Sequence, residues 1–114
     1  MRRHIEPYQR FINLVLSTQG LSDFPYLAPS EERILTLLCT YWHQEKTIQV
    51  VQAMRFTNEL SSATIFRCLK ILRHKGYIKL VTCEVDNRIK YITPTDMTNR
   101  YFEKMGELIV EASK

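Results

Sequence analysis

Ser61-Ser62-Ala63-Thr64-Ile65-Phe66-Arg67-Cys68-Leu69-Lys70-Ile71-Leu72-Arg73-His74-Lys75-Gly76 is the stretch that decides how this chain folds. Its opening hydroxyls, Ser61 and Ser62, suit the first turn of a helix, where a side-chain oxygen satisfies an amide that has no partner inside the helix. Gly76 suits the other end, where the chain leaves through a left-handed residue. Ile65, Leu69 and Leu72 stand at i, i+4 and i+7 and form a narrow apolar stripe. Ser62, Phe66, Arg67, Lys70 and Arg73 project elsewhere, so one face packs and the other is basic.

Beyond Gly76 the apolar period becomes that of strands. Tyr77 to Thr82 and Arg88 to Thr93 flank Cys83-Glu84-Val85-Asp86-Asn87, and Asp86-Asn87 supplies residues that tolerate a turn. This predicts a hairpin with Arg88 at its tip. Before the basic helix, Gln49 to about Arg55 predicts a shorter helix with Val50, Val51 and Met54 available for packing, and Phe56 to Leu60 a turn. Thr47-Ile48 is expected to pair with the hairpin as a short strand. Helix, turn, basic helix and hairpin in this order make a winged helix-turn-helix, mainly α with a small β-hairpin wing.

A basic helix that begins with small hydroxylated residues suits the major groove, because short side chains let the backbone approach and Arg can reach guanine as a fork. Arg67, Lys70, Ser62, Thr64 and Phe66 are the residues expected to read or approach the bases, with Arg67 first. Phe66 could contact thymine methyls or lean on a neighbouring helix. Arg73 and Lys75 are expected on phosphates. Arg88, with Lys90 near it, is placed to enter the minor groove, whose negative potential favours Arg; the alternative is a solvated Arg88 paired to Asp86.

The charge distribution points the same way. The 114 residues carry a net charge of +4, which alone says little. Residues 55–95, however, hold eight Lys and Arg against three Asp and Glu, a net of +5, while residues 1–54 are neutral and residues 96–114 carry −1. The positive field belongs to the basic helix and the wing, as a polyanion partner requires.

Around this core, residues 5–18 read as a first helix with Ile5, Tyr8, Phe11, Ile12 and Val15 on one side, ended by Gly20. Pro29 in a first turn with Glu31 and Glu32 opens a second helix to about His43, apolar nearly all round and hence a buried scaffold. Residues 96–112 form a last helix with Met97, Tyr101, Phe102, Met105, Leu108 and Ile109 along a wide stripe. The two terminal helices have more apolar surface than their positions can bury, which predicts a helical interface with a second copy. The whole is one winged-helix domain over residues 1–114, with 29–95 as its core and 1–20 and 96–114 as dimerisation helices. Two-fold symmetry would place the recognition helices about one DNA turn apart.

From Pro29 to about Gly106 the chain resembles the MarR family of winged-helix transcription regulators. Ser62 to Ile78 is similar to the family's recognition helix, with Lys75-Gly76-Tyr77-Ile78 leading into the wing. Asp86-Asn87-Arg88 followed by Ile92-Thr93-Pro94-Thr95 is similar to its wing signature and last strand. Thr98 and Gln49 depart from the family's usual residues. The resemblance implies dimerisation through the terminal helices, and the chain as a whole reads as a cytosolic homodimer that binds double-stranded DNA, a sequence-specific regulator and most simply a repressor, with two-fold symmetry predicting a pseudo-palindromic operator. The resemblance also implies a small, aromatic effector in a crevice that Tyr8, Phe11, Tyr41, Trp42, Tyr101 and Phe102 could line, although apolar residues at helical spacing are more simply core. A winged helix that docks a protein, and a non-specific architectural or replication-associated DNA binder, stay open.

Other chemistry has little support. Three glycines and no phosphate-cradling loop argue against a nucleotide site, and no Ser-His-Asp order or paired carboxylates point to an enzyme. Cys39 and His43 at i, i+4 fit no familiar zinc spacing, so neither metal nor cofactor is expected. Three cysteines at irregular spacing fit reduced thiols, with Cys83 the best candidate for an exposed one. No apolar run approaches bilayer length, and no membrane partner is expected.

Overall fold

The computed structural model describes residues 2–19, 23–44 and 47–114. The expected stop at Gly20 lies outside them. A 3-10 turn at Arg2–His4 leads into α1 (Ile5–Gln19), followed by α2 (Pro29–His43), α3 (Val50–Ala53), α4 (Ser62–His74), β1 (Ile78–Thr82), β2 (Lys90–Pro94) and α5 (Asp96–Ser113). The chain divides into two compact units, Leu27–Thr95 and the terminal segments Met1–Tyr26 with Asp96–Lys114.

The central unit is built on α2. Pro29 stands in its first turn, and Glu31 turns back so that its Oε1 accepts from the Ala28 amide at 3.3 Å. Ile34, Leu35 and Leu38 are fully buried along one face, against α4, which contributes Ile65 and Leu72. The expectation of a helix buried all round holds for that face only, since Tyr41 is exposed and stacks on Phe56 with centroids 4.6 Å apart. Two further links close the unit. Trp42 Nε1 donates to the Ile92 carbonyl at 3.1 Å, and the Lys75 ammonium lies 2.6 Å from Glu31 Oε1.

Ser61 caps α4, accepting from the Thr64 amide at 3.1 Å, and Gly76 leaves it at φ 88°, a region that L side chains resist. The chain turns there so that the Tyr77 amide donates back to the Leu72 carbonyl at 2.9 Å. Tyr77 is wholly buried. Strands β1 and β2 then pair antiparallel, Ile78 opposite Pro94 and Thr82 opposite Lys90.

Three expectations change in detail. The strand at Thr47-Ile48 reduces to one bridge between Gln49 and Tyr91, with the Ile92 amide donating to the Ile48 carbonyl at 2.8 Å. The chain bends into α3 at the next residue, which leaves no length for a ladder. Helix α3 stops at Ala53 instead of near Arg55, and Val51 is exposed rather than packed. The hairpin is not a tight two-residue turn, because residues 83–89 form a loop whose base is closed by the Cys83 amide on the Ile89 carbonyl at 2.9 Å.

In the terminal unit α1 packs on α5. Arg10 Nε donates to the Ala112 carbonyl at 2.9 Å, and Phe24 meets Tyr101 edge-on at 5.5 Å. Ile5, Tyr8, Leu16, Ile109 and Val110 remain exposed, whereas Phe11, Ile12, Val15, Met97, Tyr101, Phe102 and Met105 are half-buried. Leu108, also expected in an intermolecular interface, is buried within the chain. No helix among the described residues is long and apolar enough to cross a membrane.

Candidate nucleic-acid interface

The periodicity that buries Ile65, Cys68, Leu69 and Leu72 puts Ser62, Arg67, Lys70 and Arg73 on the exposed side of α4. Arg67 and Arg73 make no ion pair among the described residues, so their guanidinium groups are available to an external anion. Phe66 is 43% exposed, and its ring centre lies 4.7 Å from Lys70 Nζ. The ring thus orients the ammonium, a role the sequence did not suggest. Thr64 belongs more to the cap than to the surface. It is half-buried, and its hydroxyl accepts from Ser61 Oγ at 2.9 Å.

Lys75 differs from its expected role on a phosphate. Its ammonium is committed to Glu31, a residue only 7% exposed, and this ties the C-terminal end of α4 to the N-terminal end of α2. A group held in a part-buried pair cannot reach a phosphate without leaving Glu31 unpaired.

On the wing the Arg88 side chain is 90% exposed while its base is fixed. Nε donates to Asp86 Oδ1 and an Nη to Oδ2, both at 3.1 Å, and the Arg88 amide donates to Oδ1 at 3.0 Å. The Arg88 hydrogen bonds hold the Asp86 carboxyl below its ordinary range, and Asp86 raises the guanidinium further. The pair of Arg88 with Asp86, the alternative reading, forms, and the side chain stays exposed. Lys90 begins β2, exposed.

Between α4 and the wing lies a groove of about 720 Å³ that the sequence did not disclose. Val50 and Val51 of α3, Phe66 and Leu69 of α4, and Leu80 and Ile89 of the hairpin form its apolar walls, and Lys70, Arg73, Arg88 and Lys90 also line it. These residues come from three elements, so no single stretch of sequence carries the pattern.

The cysteines sort by environment. Cys68 is buried, and burial raises the Cys39 thiol. Cys83, at the start of the wing loop, is held below its usual range by the backbone amides of Asp86 and then Val85. Iodoacetamide should therefore modify Cys83 roughly tenfold or more faster than Cys39 or Cys68 in the folded chain. Peptide mass spectrometry over a time course would reveal this, and uniform labelling would contradict it. Among the described residues no three His, Cys, Asp or Glu are grouped to hold a metal.

No protein-family model and no curated protein matches the chain. Solved structures do. Reduced AbfR bound to DNA is 26% identical over 91% of this chain and 68% of its own, with a TM-score of 0.56. The heme sensor PefR from Streptococcus agalactiae, in complex with heme, is 18% identical over 97% of this chain and 76% of its own, at 0.58. A MarR protein from Peptoclostridium difficile is 21% identical over 92% of this chain and 64% of its own, at 0.56. With its capped basic helix, its hairpin and these likenesses, the chain has the winged helix-turn-helix fold of the MarR-like transcription regulators.

Proposed function

We propose that the chain is a sequence-specific DNA-binding transcription regulator, acting as a dimeric repressor on a pseudo-palindromic operator. The observation that carries this reading is the row of exposed cations on α4, Arg67, Lys70 and Arg73, beside a wing whose Arg88 is held outward by Asp86. Arg67 reads a base edge from the major groove, with Ser62, Thr64 and Phe66 near it. Lys70 approaches the major groove beside it, Arg73 meets phosphate, and Arg88, with Lys90 near it, reaches the minor groove or phosphates. The similarity to AbfR, a protein seen bound to DNA, supports it.

Dimerisation assigns residues 1–20 and 96–114 to the interface and 29–95 to the DNA-binding core of one domain in the cytoplasm. The exposed Ile5, Tyr8, Leu16, Ile109 and Val110 support a second copy, because a monomer would leave them in water. A small effector belongs to the same reading. It is supported by the heme bound to PefR and by the regulation of Bordetella bronchiseptica BpsR by 6-hydroxynicotinic acid.

Selection of bound sequences from random duplex DNA at near-physiological salt tests the proposal. Enrichment of an inverted repeat with half-sites about one helical turn apart is the expected result. A folded protein that enriches nothing would instead be a protein-docking or architectural winged helix. On the selected site, Arg67→Ala should cost about 1–3 kcal/mol and relax the preference at one position. An equal loss on unrelated DNA would make Arg67 a phosphate contact.

A further inference from the structure

The loop that closes the wing carries a second exposed side chain besides Arg88, and it is apolar. Val85 keeps 96% of its surface in water, more than any other large hydrophobic residue among those described. One exposed valine is ordinary in itself. What sets this one apart is how firmly its backbone is held. The Cys83 amide donates to the Ile89 carbonyl at 2.9 Å, the Ile89 amide to the Asp86 carbonyl at 3.0 Å, and the amides of Asp86 and Val85 to the Cys83 sulfur. Asp86, the next residue, is fixed in turn by both the side chain and the amide of Arg88. A β-branched side chain on such a backbone has little freedom left to lose when something covers it.

Val85 and Arg88 are close enough in the chain that their backbones stand at most about 10 Å apart. A groove that takes the guanidinium is therefore within reach of the valine. The minor groove, about 6 Å wide, admits a short side chain and offers it sugar and base-edge carbon on which to pack. Its floor differs between base pairs in one group. A·T presents acceptors only, whereas G·C adds the guanine amino group, a donor that projects into the groove. Valine has no acceptor to give it. Covering that amine takes it from water and leaves it without a partner, a loss that A·T does not incur.

We propose that Val85 is a specificity-determining residue of the wing: it packs on the minor-groove floor beside Arg88 and rejects base pairs that carry the purine amino group there. The inference rests on the DNA-binding reading and adds to it the chemistry of the flanks, which are committed to A·T. The two exposed side chains of the loop then have separate tasks. Arg88 responds to the potential and width of the groove, and Val85 to a single amine.

The test uses the full chain and duplexes carrying the selected inverted repeat at near-physiological salt. Hydroxyl-radical footprinting locates the flanking pairs that the chain protects in the minor groove. Each is then varied among A·T, inosine·C, diaminopurine·T and G·C, so that the minor-groove amine and the major-groove edge change independently. The expected Kd values group by the amine, with diaminopurine·T and G·C roughly tenfold weaker than A·T and inosine·C. Val85→Ser, which removes both methyls and offers the amine an acceptor, should narrow that gap to about twofold or less. Arg88→Lys should weaken all four duplexes alike and keep the gap. Circular dichroism confirms that both variants fold. Kd values grouped by the major-groove edge, a gap that survives in Val85→Ser, or a repeat with no protected flank would overturn the role of Val85 in a chain that still binds DNA. A gap lost in Arg88→Lys and kept in Val85→Ser would give the discrimination to the arginine. A chain that enriches no sequence at all would remove the DNA-binding reading, and this inference with it.

Discussion

Tyr77→Ala is expected to destabilise the chain by about 3–5 kcal/mol, the usual cost of removing a fully buried aromatic side chain. Tyr77 has no exposed surface, and its position is set from both sides. Gly76 reverses the chain in a left-handed conformation, and the Tyr77 amide is anchored to the Leu72 carbonyl. The backbone is thus held where the ring was, and the void cannot simply collapse. Native domains are stable by only about 5–15 kcal/mol, so the variant should be marginal. Urea unfolding followed by circular dichroism measures the loss directly, with a fall in Tm of roughly 4 °C or more per kcal/mol. A loss below about 1 kcal/mol would show that neighbouring side chains refill the space.

Glu31→Ala should cost about 2–4 kcal/mol, because one carboxylate serves two partners. It accepts the Ala28 amide at the start of α2 and pairs with the Lys75 ammonium at the end of α4. Truncation removes an anionic partner from a part-buried cation and the acceptor from the Ala28 amide together. Glu31→Gln keeps a neutral acceptor for the amide and should lose about half as much. Lys75→Met, which removes the cation and keeps its apolar stem, should be milder than Glu31→Ala. Equal losses for Glu31→Ala and Glu31→Gln would mean that the charge pair dominates and the cap contributes little. The pair joins the C-terminal end of α4 to the N-terminal end of α2.

The parts of this fold written locally were legible. Ser61, the Ile65, Leu69 and Leu72 stripe and Gly76 are three signals in and beside one helix, and each acts over short sequence distances. The wing was legible as a hairpin, but the width of its loop was not, because Asp86-Asn87 fits a tight turn as well as the wider loop that the Cys83 amide closes. Helix α3 was read too long because Met54 and Arg55 carry no stop signal; its end is set by where the chain must leave for α4. The role of Lys75 was hidden for a different reason. Glu31 is 44 residues away, and nothing in a basic helix terminus announces a distant carboxylate. The groove was hidden likewise, since its walls meet only after α3, α4 and the hairpin have packed. On the terminal helices the apolar excess was visible, but not its partition into residues such as Leu108 that the chain covers itself and residues such as Tyr8 that it leaves in water.

The wing loop is closed at its base by Cys83 and Ile89, and its tip is stabilised within itself by Asp86 and Arg88. Strand register is therefore settled below the tip, and the tip's conformation is settled without help from the strands. Residues can be gained or lost between those two fixtures at an entropic cost that grows only slowly with loop length. The distance of the arginine from the strands is thus a free variable in this architecture, one that changes of loop length alter without renegotiating the stability of the body that carries it.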